Sequence, residues 1–224
     1  MPRKARPRRC APTILRDPEP RGRHEAMAEA ARDLVAVGAR MDRLGWVPGS
    51  SGNLSARLGD TAIAITRSGV HKGRLTEADI IEVGLDGVAL RAGDKPSAET
   101  KLHCQLYARF PETGAVLHGH SVAATVLSMA VPGDALVLEG YEILKAFRGI
   151  VTHDTRVALP VFDNDQDMAR LADVIAPALD AEPIGYILRG HGVYAWGPDV
   201  ERCFWRLEAL EFLLRCELER RRIR

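Results

Sequence analysis

Two histidines one residue apart end an apolar run, Ala115-Val116-Leu117-His118-Gly119-His120. If this run is a β-strand, its side chains alternate between two faces, so His118 and His120 project to the same side. Two imidazoles that project together can bind one divalent metal, and zinc is well suited to imidazole. The competing interpretation is that one histidine pairs with a neighbouring group and the other faces solvent. The spacing alone does not decide between the two.

A third histidine, His191, lies in the segment Leu188-Arg189-Gly190-His191-Gly192-Val193, after a predicted strand. The flanking glycines allow a ligand or a metal to come close to the backbone. Taken alone, His191 is also consistent with a capped loop histidine. Together with the first pair it would complete a three-histidine site with one open coordination position, which is typical of catalytic zinc.

Two glutamates are candidates for proton transfer beside such a metal, because a polarised carbonyl group needs a base for the adjacent C–H bond. Glu99 lies at the predicted start of a helix, where an acid often serves only the helix dipole. Glu142 lies in a short predicted helix, where together with Glu139 it could simply face solvent.

Two turns rich in glycine and serine, Ser51-Gly52-Asn53 and Arg67-Ser68-Gly69, are candidates for anion binding. Small side chains let backbone N–H groups reach phosphate oxygens. Ser97 at a predicted helix start and the nearby cation Lys72 would complete a phosphate site. Each turn is also consistent with an ordinary turn, and Lys72 with a surface lysine.

The elements that must position these residues alternate along the chain. Apolar spacings of three and four predict helices at 24–44, 166–179 and 199–222, and shorter helices are predicted after the N-caps Ser97 and Ser121 and near 140–147. Strands are predicted at 61–66, 80–84, 115–119, 135–138, 157–161 and 184–189, with residues 45–55 as a loop. This order predicts an α/β fold with a central mixed or antiparallel sheet.

Composition limits the class of protein. The chain has 224 residues, of which 46% are hydrophobic and 27% charged, and its net charge is +1. These values predict a globular domain and give no reason to expect nucleic acid or an anionic membrane as a partner. No apolar run approaches the roughly 20 residues that span a bilayer, and no secretory signal is recognisable. Four scattered cysteines predict reduced thiols in a cytoplasmic protein: Cys10, Cys104, Cys203 and Cys216.

The first 23 residues differ from the rest because they are rich in arginine and proline and show no periodicity. We expect a disordered basic tail at 1–23 and a single domain at 24–224. A targeting or RNA-binding arm is the alternative. The acidic residues Asp17 and Glu19 and the lack of an amphipathic pattern argue against it.

Seven segments occur in order between Gly45 and Gly197: GWVPGSSGNLSAR, ITRSGVHKGRLTEADI, PSAETKLH, AVLHGHSVAATVLS, LEGYEILKAF, FDNDQDM and LRGHGVYAWG. They resemble the class II aldolase/adducin family, and the resemblance covers residues 24–218. The HxH pair with a downstream HG is shared by the whole family. Three stretches resemble its dehydratases more than its aldolases: 46–53, 139–147 and 162–168.

The resemblance implies a class II aldolase-like three-layer fold, in which helices flank a central, mainly antiparallel sheet. It also implies a lyase of methionine salvage that removes water from a ketose 1-phosphate. A sugar-phosphate aldolase or epimerase is the alternative. A non-enzymatic, adducin-like binding module is a further alternative, but that interpretation expects the histidines to be lost.

Carried over by position, the resemblance implies that His118, His120 and His191 bind one zinc ion per subunit. Glu99 falls where the aldolases have their acid/base glutamate, and Glu142 where the dehydratases have theirs. We favour Glu142 for proton transfer and expect Glu99 to touch the metal or the substrate.

The resemblance further implies a phosphate pocket and a homotetramer with sites near the subunit interfaces. The pocket residues would be Ser51, Gly52, Asn53, Ser68, Gly69 and Ser97. Gly119 stands where many members have a larger residue, a departure that removes no metal ligand.

Overall fold

The computed structural model describes residues 20–223, which contain eight β-strands and five α-helices. The strands are β1 Asn53–Arg57, β2 Ala62–Thr66, β3 Ile80–Gly84, β4 Ala115–Gly119, β5 Ala135–Glu139, β6 Arg156–Phe162, β7 Tyr186–Leu188 and β8 Gly192–Gly197. The α-helices are α1 Pro20–Arg43, α2 Thr100–Arg109, α3 Val122–Ala130, α4 Met168–Leu179 and α5 Val200–Arg222. Short 3₁₀ helices occupy Lys72–Arg74, Glu77–Asp79 and Glu142–Ala146. Over 20–223, no helix combines the length and apolar character that crossing a membrane requires.

The eight strands form one open sheet in the order β3-β2-β1-β4-β8-β7-β6-β5. Neighbouring strands are antiparallel, except β6 and β7, which are parallel. Strand β4 therefore lies inside the sheet, with His118 opposite Asn53 of β1 on one side and opposite Tyr194 of β8 on the other. The predicted α/β fold with a central, mainly antiparallel sheet is confirmed.

Helices cover both faces of the sheet, and a separate hydrophobic core fills each side. Residues of α1, α3 and α5 pack with Leu117 on one face. Residues of α2 and α4 pack with Val116 on the other face. Because side chains alternate along a strand, His118 shares the face of Val116, on which α2 lies. The predicted three layers are confirmed, and the side chain of His118 lies on the sheet face that α2 and α4 cover.

Two strands were missed by the sequence prediction, and they are the direct neighbours of β4. Strand β1 was interpreted as part of a glycine- and serine-rich loop, because its sequence NLSAR has no strong apolar alternation. No strand was predicted at the position of β8, which directly follows His191. Strand β1 is nevertheless buried at four of its five positions, since its polar side chains are hydrogen-bonded within the protein.

The predicted starts of α1 and α2 differ from the structure, and α4 begins at Met168, two residues after its predicted start. Helix α1 begins at Pro20, so the last four residues of the predicted tail are helical, while residues 1–19 lie outside the described residues. Helix α2 begins at Thr100 with Glu99, rather than Ser97, as its N-cap residue. The Ser97 carbonyl accepts hydrogen bonds from the backbone N–H and the hydroxyl of Thr100, at 3.2 and 2.7 Å, which closes a turn ahead of the helix. The N-cap prediction for Ser121 is confirmed, since its hydroxyl accepts from the Ala124 N–H at 3.0 Å.

Candidate metal centre

Four side chains from distant parts of the chain converge at the end of β4. Glu99, His118, His120 and His191 each offer one ligand atom, and these atoms all lie within 4.8 Å of one another. The Nε2 atoms of His118 and His120 are 2.8 Å apart. One Glu99 oxygen lies 3.2 Å from His118 Nε2, and the other lies 3.1 Å from His191 Nε2. The structure therefore brings together the three histidines and the first of the two candidate glutamates.

The strand-to-helix junction after β4 positions His120. The strand ends at Gly119, and the His120 N–H donates to the carbonyl of Trp46 at 2.6 Å. Ser121 then caps α3. His120 is thus fixed on both sides, and its imidazole meets that of His118 as the period-two pattern predicts.

Two glycines allow the neighbouring backbone to approach His118 closely. A Cβ at Gly192 would lie 2.2 Å from the Gly119 carbonyl oxygen and 2.9 Å from His118 Cε1. Gly52 has a φ of +73°, and a Cβ there would lie 2.8 Å from the His118 carbonyl oxygen. A side chain at either position would push a neighbouring strand or loop away from the histidine.

The outer nitrogens of two histidines are held by oxygen acceptors. His118 Nδ1 lies 3.0 Å from the carbonyl oxygen of Val193, and His191 Nδ1 lies 3.2 Å from Oδ1 of Asn164. A carbonyl oxygen only accepts, so each Nδ1 carries the proton and each Nε2 presents its lone pair to the cluster. Such partners are what orient metal-binding histidines.

The electrostatics of the cluster favour neutral imidazoles. Burial lowers the pKa of His118 to about 4, against the opposing effect of Glu99. Burial and the two other imidazoles lower the pKa of His120 to about 3. Neutral imidazole is the form that binds a metal, so three nitrogens and one carboxylate fit a divalent metal ion.

Glu99 is held as an anion. Its Oε2 accepts hydrogen bonds from the Asn53 amide, at 3.0 Å, and from the Tyr194 hydroxyl. Burial opposes its ionisation, but positive charge on the imidazoles of His118 and His191, in the state in which they hold a proton, and the hydrogen bond from Tyr194 outweigh burial and hold the pKa of Glu99 below its ordinary value. A carboxylate of low pKa is a suitable ligand for a cation and a weak base.

Tyr194 is a site residue that sequence reasoning missed. Its ring stacks on that of His118, with centroids 4.0 Å apart and planes inclined by 17°. The ring of Tyr186 stacks on its other side at 4.7 Å. The three rings are cross-strand neighbours on β4, β8 and β7. Only the pairing of β8 with β4 could have indicated this contact.

Lys72 contacts the residues that flank the two turns predicted to bind an anion. Its ammonium group donates to the carbonyl oxygens of Ser50, at 2.8 Å, and of Val70, at 2.7 Å. The side chain is buried, and burial lowers the pKa of Lys72 to about 8 against the opposing effect of Glu99. Lys72 is therefore not an ordinary surface lysine.

Two predicted pocket residues adjoin the carbonyl groups that Lys72 contacts, since Ser51 follows Ser50 and Gly69 precedes Val70. The Ser51 hydroxyl is buried and has no hydrogen-bond partner within residues 20–223. A bridge between Arg67 and Pro96 brings the turn of Ser68 and Gly69 next to Ser97. Asn53 differs from the prediction in that its amide contacts Glu99, although one of its two N–H groups is not used there.

Glu142 lies apart from the cluster in the single chain. Its side chain is 68% exposed, and its carboxylate contacts Lys145 and, at 3.6 Å, His153. The hydrogen bond from Lys145 is the main cause that lowers the pKa of Glu142. Among the described residues, the carboxylate makes no hydrogen bond or ion pair with the four residues of the cluster.

A groove of about 910 Å³ runs between α3, α5 and the 3₁₀ helix that carries Glu142. Its lining includes Trp46, whose carbonyl accepts a hydrogen bond from His120, Ser121, which follows His120 in the chain, and Ile143. Several large apolar side chains along it are exposed: Leu44, Val122, Ile143, Trp205 and Phe212. We refer to this surface as the α3/α5 groove.

Comparisons with known proteins agree with this geometry. A family model described as "Class II Aldolase and Adducin N-terminal domain" matches residues 32–218. A methylthioribulose-1-phosphate dehydratase from Acidiphilium cryptum (strain JF-5) is 73% identical over 200 residues, which cover 89% of this chain and 95% of that protein. A protein of the same name from Gluconacetobacter diazotrophicus is 63% identical over 196 residues, or 88% and 96% of the two chains. The solved L-fuculose-1-phosphate aldolase from Thermus thermophilus superposes with a TM-score of 0.69 at 27% identity, covering 88% of this chain and 96% of that one.

Proposed function

Because the chain belongs to the class II aldolase and adducin family, we propose that it dehydrates 5-methylthioribulose 1-phosphate to 2,3-diketo-5-methylthiopentyl 1-phosphate in methionine salvage. The observation that carries this proposal is the identity of 73% and 63% to two dehydratases over nearly their whole length. The aldolase alternative is supported by a likeness at only 27% identity. The binding-module alternative expects the histidines to be lost, whereas here they converge with Glu99.

The proposed cofactor is one zinc ion per subunit, held by His118, His120 and His191, with Glu99 as a further ligand. Support comes from the neutral imidazoles and from the Nε2 lone pairs that face one another. When bound there, zinc supplies Lewis-acid polarisation of the substrate's C2 carbonyl, which acidifies the C3–H bond.

The chain's own residues would move the protons and hold the substrate. We assign Glu142 to take the C3 proton and to deliver a proton to the departing C4 hydroxyl, which leaves as water. The C3–C4 enol that results ketonises to the diketone. The Lys72 ammonium and the Ser51 hydroxyl would hold the phosphate and so fix the reacting carbons relative to the cluster.

The assignment of Glu142 is linked to a proposed homotetramer. Glu142 precedes Ile143, which lines the α3/α5 groove, and this groove reaches the backbone beside His120. A second subunit packed on the exposed apolar side chains of the groove would remove them from water and enclose the surroundings of Glu142. Sedimentation velocity is expected to give about four times the 24.5 kDa chain mass, and a monomer would contradict the assembly.

A direct assay tests the proposed function. Purified protein supplied with zinc and 5-methylthioribulose 1-phosphate is expected to form the diketone, detected by mass spectrometry as a loss of one water. The same preparation is expected to leave L-fuculose 1-phosphate intact. Cleavage of L-fuculose 1-phosphate without any diketone formation would favour the aldolase and overturn the proposal.

The burial of Lys72 predicts a pH dependence of substrate binding. Since its pKa is lowered to about 8, the cation is present below that pH and is lost as the pH rises through it. The KM of the wild type should therefore rise about tenfold between pH 7 and pH 9, because about nine-tenths of the lysine is neutral at pH 9. Lys72→Met should have a high KM at both pH values, and exposed Lys101→Met serves as the control. A wild-type KM that stays constant to pH 9 would exclude Lys72 as the phosphate cation.

We place the proposed enzyme in the cytoplasm. The thiols of Cys104, Cys203 and Cys216 are free, as a reducing compartment maintains them. Recovery of the native protein from a periplasmic or membrane fraction would contradict this location.

A further inference from the structure

A row of buried polar side chains runs from Glu99 into the core beneath α2. The Asn53 amide nitrogen donates to Glu99, and its carbonyl oxygen lies 2.5 Å from His103 Nε2. His103 Nδ1 lies 2.7 Å from the Ser55 hydroxyl, which lies 2.9 Å from the Tyr107 hydroxyl. Asn53, Ser55, His103 and Tyr107 are all buried, with exposed fractions of 4% or less. None of these four residues is among the candidate metal ligands.

The direction of each hydrogen bond follows from the charge of Glu99. A carboxylate only accepts, so Asn53 turns its NH₂ group to Glu99 and its carbonyl to His103, whose Nε2 must then donate. Burial lowers the pKa of His103 to about 4, so the neutral ring has one proton and Nδ1 accepts. Ser55 therefore donates to His103, and Tyr107 donates to Ser55. All four donors point the same way, toward the carboxylate.

We propose that His103 is a positioning residue that acts through Asn53 to hold the Glu99 carboxylate against His118 and His191. Without the donor from His103, the Asn53 carbonyl would be a buried acceptor without a partner, and the amide would gain by shifting away from Glu99 toward another donor. Tyr194 supplies the second donor to the same Glu99 oxygen, so the carboxylate would be loosened rather than released.

The size of the expected effect follows from the distance of His103 from the chemistry. Its ring nitrogens contact Asn53 and Ser55 and none of the candidate metal ligands. Direct hydrogen-bond partners of metal ligands typically change metal affinity or activity by about 10–100-fold, and His103 acts one hydrogen bond further out, so we expect the lower end of that range. The effect on turnover rests on the proposed function, whereas the effect on the geometry of Glu99 does not.

The tautomer of His103 is the first test. In full-length protein with ¹⁵N-labelled histidines, NMR at pH 7 is expected to show His103 protonated at Nε2 and unprotonated at Nδ1. A ring protonated at Nδ1 alone would leave Nε2 with no proton to donate to the Asn53 carbonyl and would overturn the proposal. The His103→Leu variant identifies the signal by its loss.

Variants of His103 are the second test. His103→Leu is expected to weaken the binding of Zn²⁺, titrated against a competing chelator, by about tenfold and to lower kcat with little change in KM. His103→Gln, whose amide can still donate to Asn53, is expected to recover part of both losses. Cys104→Ala, the adjacent buried position on α2, is the control for packing and should change neither.

The outcomes separate the two proposals. Wild-type Zn²⁺ affinity in a folded His103→Leu variant, or an equal loss in His103→Gln, would overturn the positioning role. If the wild type forms no diketone, the proposed function fails, and the tautomer and the Zn²⁺ affinity still decide the role of His103.

Discussion

The His118→Ala variant is expected to lose the bound metal and at least about 10³-fold in the rate of diketone formation. His118 contributes the central nitrogen of the cluster, 2.8 Å from His120 Nε2 and 3.2 Å from Glu99. Polarisation of a carbonyl by a metal lowers the barrier by several kcal/mol, and each 1.36 kcal/mol is tenfold in rate. The measurements are zinc per chain by elemental analysis and diketone formed per minute.

A second variant guards against a simple loss of folding, because His118 is buried and stacked on Tyr194. His191→Ala removes a ligand whose side chain is 14% exposed, and it should show the same two losses with native circular dichroism. His24→Ala, an exposed histidine of α1, is the matched control and should keep both metal and activity. Full activity in either cluster variant would refute the metal centre.

Glu142→Gln is expected to keep its zinc and to lose about 10²–10⁴-fold in kcat, as removal of a general acid/base does. Glutamine preserves the size of the side chain but cannot accept the C3 proton. Glu99→Gln is expected to act differently, because Glu99 lies within 3.2 Å of two imidazoles and is already held by Asn53 and Tyr194. Its loss should lower zinc affinity first, and added zinc should restore part of the activity.

The pair of variants distinguishes the two glutamates. Glu139 lies at the exposed end of β5, just before the 3₁₀ helix that carries Glu142. Glu139→Gln is therefore the control for Glu142→Gln and should be as active as the wild type. If Glu142→Gln turns over normally while zinc-saturated Glu99→Gln is inactive, proton transfer belongs to Glu99 and our assignment is wrong.

The meeting of His118 and His120 could be predicted from the sequence, because one short strand and its period of two determine it. Strands β3 and β4 and the cap at Ser121 were predicted correctly for the same reason: each depends on a local pattern. That His191 could join the pair was inferred from its residue type and flanking glycines, and the resemblance supported it. No local pattern connects residues so distant in the chain.

The partners of Glu99 could not be predicted, because they depend on which strands flank β4. Strands β1 and β8 were missed, and with them Tyr194 and the row that begins at Asn53. Strand β1 does not alternate apolar and polar residues, because its buried polar side chains are paired by hydrogen bonds, such as that between Ser55 and His103. A pattern based on hydropathy counts such polar residues as exposed, although here they form the interior of the site.

The long separations across β4 have a consequence for how the protein folds. His118 contacts the backbone of Val193, 75 residues further along the chain, and Glu99 contacts Tyr194 across 95 residues. Closing such loops costs entropy before any contact repays it, so the sheet around β4 is expected to assemble slowly and to complete the metal centre last. A chain still emerging from the ribosome carries no complete site until the segment after His191 has been made. The candidate metal centre is thus complete only in a chain that has been synthesised past His191.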